Sequence, residues 1–158
     1  MLIMGIDPNP KLIGWILWDS KKEEVPRDSV TRCMGMEEVD VFLNMLFRRQ
    51  TKTVVIETPV IYQKAKKEVG DTLRVVGMIE WELKRQKRFC KRLTPQKIRG
   101  HVTRGGGGMT VRQCLIARFG KDTKGEPLEG ITYHIWSALA AAVWGSDCLG
   151  DAWTKHKE

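Results

Sequence analysis

Short apolar runs alternate with longer helical periodicities along the chain, and this order predicts an α/β fold. Five apolar or β-branched runs predict strands, over residues 2–7, 13–19, 29–34, 53–57 and 89–93. The first three follow one another closely and predict a meander. The run 53–57 is continuous and follows a helical pattern over 37–49, so it is predicted to be a buried parallel strand beside the first one.

Four more helices and a glycine loop complete the predicted order of elements. A long helix over 64–88 carries one apolar stripe, made of Val69, Leu73, Val76, Ile79 and Leu83. The stripe is typical of a core face, and an exposed part of it would suit a dimer seam. Further helices are predicted to start at Thr94-Pro95 and to cover 110–119 and 132–144, with a glycine loop over 105–108. Residues 1–146 are therefore predicted to form one domain and 147–158 a loose tail.

Composition narrows the class of partner. The chain has 158 residues and a net charge of +8, which favours a polyanionic partner such as nucleic acid over a basic protein without one. No apolar run approaches the roughly 20 residues of a membrane span, and the N-terminus does not resemble a signal peptide. Four widely spaced cysteines without a CxxC pair argue against structural zinc and favour a reducing, cytoplasmic setting.

The candidate chemistry lies where two predicted strands end. Asp7 and Glu57 each close an apolar run, so neighbouring strands would place the two carboxylates side by side. Adjacent anions repel unless a cation lies between them, and Mg²⁺ or Mn²⁺ with oxygen ligands would resolve that conflict. His134 and Ser137, three residues apart on the last helix, could face the same ion. The alternative is that the carboxylates are ordinary caps or surface charges.

Three motifs in this order resemble the RuvC family of Holliday-junction resolvases, and especially its bacteriophage members. They are Gly5-Ile-Asp7-Pro8 followed by Gly14-Trp15, then Val55-Ile-Glu57, then His134-Ile-Trp-Ser-Ala138. The resemblance runs from Met1 to about Gly145. It implies a ribonuclease H-like fold with a mixed five-stranded sheet flanked by helices. It also implies a homodimer that cuts four-way DNA junctions with the help of Mg²⁺, for which Mn²⁺ can substitute.

Carried over by position, the resemblance makes Asp7, Glu57 and His134 metal ligands and places Ser137 where the family has its last aspartate. A serine is a much poorer ligand for a hard cation. Three explanations remain open: an inactivated variant, a naturally weakened enzyme, or a site in which His134 alone supplies the metal ligand from the last helix. The sequence therefore predicts either a crossover junction endodeoxyribonuclease or a junction-binding protein without cleavage. A ribonuclease H-like nuclease acting on flaps or RNA–DNA hybrids is the other alternative.

The basic residues divide into two predicted groups. Arg99, Arg104 and Arg112 surround the glycine loop and are predicted to hold phosphates beside the scissile bond. Lys64, Lys66, Lys67 and Arg74 begin the long helix and could grip junction arms, or form an ordinary solvated face. Ile61 and Tyr62 occupy the stretch from which the family inserts a side chain at the crossover, although a core or dimer contact is equally consistent with the sequence.

Overall fold

The computed structural model describes residues 1–9, 11–25, 32–34, 41, 42, 44, 51, 53–60, 67–126, 128–131 and 133–154, with only the backbone at 32–34, 133 and 150–154. Its five strands are β1 (Leu2–Pro8), β2 (Ile13–Asp19), β3 (Arg32–Met34), β4 (Thr53–Glu57) and β5 (Phe89–Leu93). The helices whose first and last residues are both described are α1 (Lys67–Arg85), α2 (Pro95–Val102), α3 (Val111–Phe119) and α4 (Tyr133–Thr154).

The strands form one mixed sheet in the order β3-β2-β1-β4-β5, which confirms the predicted fold class. β1 pairs antiparallel with β2 and parallel with β4, and β4 pairs parallel with β5. The carboxyl ends of β1, β4 and β5 therefore meet at one edge of the sheet. Ile6 is aligned with Ile56 across the parallel pair, so Asp7 and Glu57 are the next residues on their strands.

Helices cover both faces of the sheet, and the alternation of side chains along each strand decides which residues meet which helix. Met4 and Val54 pack with Val76, Ile79 and Leu83 of α1 in one cluster. Another cluster, on the opposite face, brings Ile3 and Val55 against α4 and includes its buried alanines Ala138, Ala140, Ala141 and Ala142. Since Asp7 follows Ile3 by four residues and Glu57 follows Val55 by two, both carboxylates belong to the face that α4 covers.

Two glycines allow α4 to approach the sheet closely. A Cβ atom on Gly5 would lie 1.8 Å from the carbonyl oxygen of Ala138, and one on Gly14 would lie 2.7 Å from that of His134. Distances this short are sterically forbidden, so any side chain at these positions would displace the helix. The two glycines of the first motif therefore allow the third motif to lie against β1 and β2.

The largest correction concerns the end of the last helix. Prediction ended it at Trp144 and made 147–158 a loose tail, but α4 continues to Thr154. Asp147 anchors this extension, because the guanidinium of Arg118 donates to both of its carboxylate oxygens at 2.7 and 2.8 Å. His101 Nε2 lies 2.9 Å from Asp147 Oδ2, so the extension is also tied to α2. The loose-tail prediction is therefore wrong as far as Thr154.

Smaller corrections concern α1 and the cysteines. α1 begins at Lys67 within the described residues and ends at Arg85, three residues before the predicted end. Of its predicted stripe, Val69 and Leu73 are only part-buried, while Thr72 and Val75 are buried instead. The apolar or helical context of three of the four cysteines predicts buried thiols, but Cys90 and Cys114 are only part-buried and Cys148 is exposed. The predicted helix over 37–49 and the first residues of the third predicted strand lie mostly outside the described residues.

Candidate metal and nucleic-acid site

Asp7 and Glu57 form the centre of the candidate site. Both side chains are part-buried at the carboxyl edge of the parallel strands. The pairing of β4 continues beyond Glu57, because the Thr58 N–H donates to the Leu93 carbonyl at 2.7 Å. This bond fixes the backbone on the far side of Glu57, so the carboxylate is held by the sheet itself. The predicted juxtaposition of the two strand ends is therefore present in the fold.

The electrostatics of the pair are unfavourable without a counter-ion. Burial, the largest cause, and the charge of Asp7 together raise the pKa of Glu57 to about 7, against the opposing charge of Arg99. Burial also raises the pKa of Asp7, against the hydrogen bond and charge of His134. Proximity of a second anion disfavours ionisation, as expected for two carboxylates that share a site. A cation between them would relieve this cost.

His134 reaches the site from the first turn of α4. Its Nδ1 atom lies 3.2 Å from Oδ2 of Asp7, at hydrogen-bond distance. Among the described residues, no group of three or more His, Cys, Asp or Glu side chains converges in a way that would hold a metal ion. The two carboxylates fit a hard divalent cation by their chemistry and charge, while His134 contacts Asp7 itself. Its role as a metal ligand stays a prediction.

Ser137 and two of the predicted phosphate-binding arginines line a cavity of about 860 Å³ that Glu57 borders. The cavity is lined by Glu57, Ile98, Arg99, Thr103, Met109, Thr110, Val111, Arg112, Ile131, Trp136, Ser137 and Ala140. Arg112 is paired with Asp122, and its guanidinium lies 5.5 Å from the centre of the Trp136 ring. Ser137 and Glu57 thus line the same cavity, and the role of Ser137 stays a prediction.

Helix caps fix the loop that borders this cavity. The hydroxyl of Thr94 accepts from the Lys97 N–H at the start of α2. At the start of α3, Thr110 and Gln113 form a capping box. These caps satisfy backbone donors that the first helical turn leaves unpaired. They hold the glycine segment 105–108 between the ends of two helices.

The remaining predicted site residues in the described part of the chain do not line this cavity. Arg104 is exposed and lines a separate cavity of about 390 Å³ with His101, Cys114 and Arg118. Lys67 and Arg74 are exposed on α1. Ile61, Tyr62, Lys64 and Lys66 lie outside the described residues, so their predicted roles stay predictions. Among the described residues, sequence reasoning missed Trp136 and Met109 as cavity residues, since neither differs by sequence from an ordinary core methionine or tryptophan.

Comparisons with known proteins identify the fold of the chain. No protein-family model matches the chain, and no curated protein matches it. Among solved structures, the chain is similar to Thermus thermophilus RuvC, with a TM-score of 0.67, 16% identity and coverage of 96% of this chain and 97% of that one. It is also similar to T. thermophilus RuvC in complex with a Holliday junction substrate, with a TM-score of 0.66, 16% identity and 90% coverage of both chains. The chain therefore has a RuvC-like, ribonuclease H-like fold over nearly its whole length.

Proposed function

We propose that this chain is a divalent-metal-dependent endonuclease that resolves four-way DNA junctions by paired phosphodiester hydrolysis. The observation that carries the proposal is the pair Asp7 and Glu57, part-buried on adjacent parallel strands at one sheet edge of a RuvC-like fold. A pair of carboxylates with raised pKa values, one of which borders a cavity, is a candidate active site on physical grounds alone. The net charge of +8 suits a DNA substrate.

Asp7 and Glu57 are the residues that would hold Mg²⁺ or Mn²⁺. When bound, such an ion would neutralise the two carboxylates and polarise a phosphodiester oxygen. His134 would hold the Asp7 carboxylate in place through the contact between Nδ1 and Oδ2. The ligand set is weaker than three carboxylates would be, because residue 137 is a serine.

Arg99 and Arg112 would bind the DNA backbone beside the carboxylates. Both line the cavity that Glu57 borders, and Arg99 is close enough to lower the pKa of Glu57. The ion pair of Arg112 with Asp122 shows that its guanidinium accepts an anionic partner at this site. A phosphate could replace Asp122 there, since guanidinium groups bind carboxylates and phosphates in the same bidentate way.

Replacement of Asp7 by alanine tests the proposal. We expect Asp7→Ala to abolish Mg²⁺-dependent cleavage of a four-way junction and to keep or tighten junction binding, because it removes a metal ligand and a negative charge near phosphate. Asp19→Ala is the matched control, since Asp19 ends β2 at the opposite edge of the sheet, beside the N-terminus. Cleavage by Asp7→Ala at the parental rate would contradict the proposal, as would a preference for flaps, RNA–DNA hybrids or linear duplex over junctions.

A junction-binding protein without cleavage is the second candidate, and Ser137 is the observation that favours it. The side chain lies in the same cavity as Glu57, where a third carboxylate would complete a hard-cation site. Junction binding with no cleavage in either Mg²⁺ or Mn²⁺ would select this candidate. Cleavage in Mn²⁺ that Asp7→Ala abolishes would select the enzyme.

A homodimer is part of the same proposal, because two opposed cuts in one junction require two sites. The described residues supply one site per chain. A two-fold arrangement would present both sites to one junction.

A further inference from the structure

The cavity beside Glu57 has more apolar surface than phosphate binding requires. A phosphodiester is recognised by cations, hydroxyls and backbone N–H groups, and it gains nothing from an apolar wall. Yet this cavity of about 860 Å³ extends from Glu57 to Ile98, Ile131, Trp136 and Ala140, which are 1–8% exposed. These residues belong to the core cluster beneath α4, so the cavity opens the core to the site.

The same cavity is also lined by a small number of polar groups. Arg99 and Arg112 contribute positive charge, and Thr103 and Ser137 contribute hydroxyl groups. The guanidinium of Arg112 already stacks near the Trp136 ring, at 5.5 Å from its centre. An apolar cavity with a flat aromatic wall and a few polar groups suits a ligand with a flat apolar face and a polar edge.

We infer that the cavity lined by Trp136, Ala140 and Ser137 receives an unpaired nucleobase from the DNA strand whose phosphodiester lies at Glu57. This inference rests on the proposed function and adds a base-binding site to it. The occupant follows from continuity: Glu57 borders the cavity, so a strand that reaches the carboxylates has an adjoining nucleotide within reach of it. A base leaving its stack exchanges base stacking for contact with aromatic and apolar side chains.

Photocross-linking tests the inference without any need for cleavage. Four-way junctions carry 5-iododeoxyuridine at one position at a time around the branch point, and binding and irradiation are carried out in EDTA. Mass spectrometry then maps the cross-linked residue. We expect one position to cross-link to Trp136, at least tenfold above a linear duplex of the same sequence, because a stacked base cannot reach a side chain that is 8% exposed.

Filling the cavity should remove this cross-link. Ala140→Met places a longer side chain in the cavity, and we expect at least a fivefold loss of the cross-link at protein concentrations that saturate the junction. Ala117→Met is the matched control, because Ala117 is exposed and lines the separate cavity of about 390 Å³. Val111→Phe is a second filling variant at a part-exposed position, for use if Ala140→Met does not fold.

The outcomes separate the inference from the proposed function. Junction binding with cross-links only outside the cavity, or a cross-link that survives both filling variants, overturns the inference and leaves the proposed function standing. A chain that shows no preference for junctions over duplex overturns both. Equally strong cross-linking of free 5-iododeoxyuridine monophosphate would assign the cavity to a free nucleotide and overturn the inference as well.

Discussion

Among single residues, Glu57 makes the folded state most sensitive to pH. Its pKa is raised to about 7 from an ordinary value of 4.5, first by burial and then by the charge of Asp7. The folded state therefore binds this proton more tightly than the unfolded state does. Protonation of Glu57 stabilises the folded state. This contribution to the free energy of unfolding is fully present below about pH 4.5 and is lost as the pH rises through 7.

We expect the free energy of unfolding in EDTA to fall by about 2 kcal/mol between pH 5 and pH 8, measured by urea denaturation. Glu57→Gln should flatten this slope, while Glu126→Gln, in an exposed turn, should leave it unchanged. Added Mg²⁺ should restore stability at pH 8, because the cation binds the ionised pair. A parental slope in Glu57→Gln would show that another group is responsible.

Ser137 is the residue at which binding and cleavage can be separated. Ser137→Asp would place a third carboxylate in the cavity beside Glu57. We expect it to raise the rate of Mg²⁺-dependent junction cleavage at least tenfold, since hard cations depend on ligand charge. In EDTA the same variant should melt at a lower temperature, because like charges then face each other without a cation.

Ser146→Asp, farther along the same helix, is the control for an added charge on α4 and should leave cleavage unchanged. A Ser137→Asp variant that is destabilised in EDTA and in Mg²⁺ alike, and remains inactive, would show that Ser137 is only a small residue at a close packing contact. The cost of burying an unpaired carboxylate would then account for the loss of stability.

Among the elements, the close contact of α4 with β1 and β2 places His134 at Asp7. Gly14 faces Asp7 across the β1–β2 pair, and a Cβ atom there would lie 2.7 Å from the His134 carbonyl oxygen. We expect Gly14→Ala to lower the free energy of unfolding by about 1–3 kcal/mol and to reduce cleavage at least tenfold, because the first turn of α4 must move away.

Gly77→Ala is the matched control on α1, where a Cβ atom meets nothing within 4 Å. It should stabilise the protein by up to about 1 kcal/mol through the higher helix propensity of alanine. Urea denaturation and junction cleavage of the two variants check both expectations. A Gly14→Ala variant with parental stability and parental cleavage would mean that His134 is not positioned by this contact.

Element boundaries were predictable where the sequence carries both a pattern and a stop signal. The strands Ile13–Asp19, Thr53–Glu57 and Phe89–Leu93 match the prediction residue for residue, since each apolar or β-branched run ends at a turn or a charged residue. The end of α4 was missed because Gly145 resembles a helix stop. In the structure Gly145 is a packing residue: a Cβ atom there would lie 2.7 Å from Val55 Cγ2.

The candidate site was also predictable only in part, because some of its features depend on packing between distant segments of the chain. Asp7 and Glu57 could be paired from the sequence, because parallel strands bring their carboxyl ends to one edge. The cavity could not, since it depends on how α2, α3 and α4 pack around Trp136. Asp147 is held by His101 and Arg118, which are distant from it in the chain, so no local sequence pattern predicts these contacts.

On the scale of the whole molecule, the distribution of positive charge agrees with a nucleic-acid substrate. The chain carries 27 Lys and Arg against 19 acidic residues. Arg99 and Arg112 lie at the cavity beside the carboxylates, while Lys67 and Arg74 are exposed on α1. None of the helices in the described part of the chain is long and apolar enough to cross a membrane.

The outer face of α1 is the surface on which the proposed homodimer can be tested. Trp81 is 67% exposed there, more than the other large hydrophobic side chains of the described residues. Gly77 and Arg74 lie four and seven residues before Trp81 and are exposed on the same side of the helix. Leaving a tryptophan this exposed forgoes the favourable free energy of burying its ring, which a second copy of the chain would recover.

We expect the parental protein to sediment as a dimer at micromolar concentration and Trp81→Glu to sediment as a monomer with an unchanged far-ultraviolet circular dichroism spectrum, because the side chain makes no contribution to the core. Leu2→Glu, at a hydrophobic position that is 41% exposed on β1, is the matched control and should remain dimeric. If two cuts require two sites in one complex, Trp81→Glu should nick junctions on one strand at a time and lose coordinated resolution, although Asp7 and Glu57 are intact. A parental protein that is monomeric with and without a junction would remove the homodimer from the proposal and leave the single-site chemistry to be tested by Asp7→Ala alone.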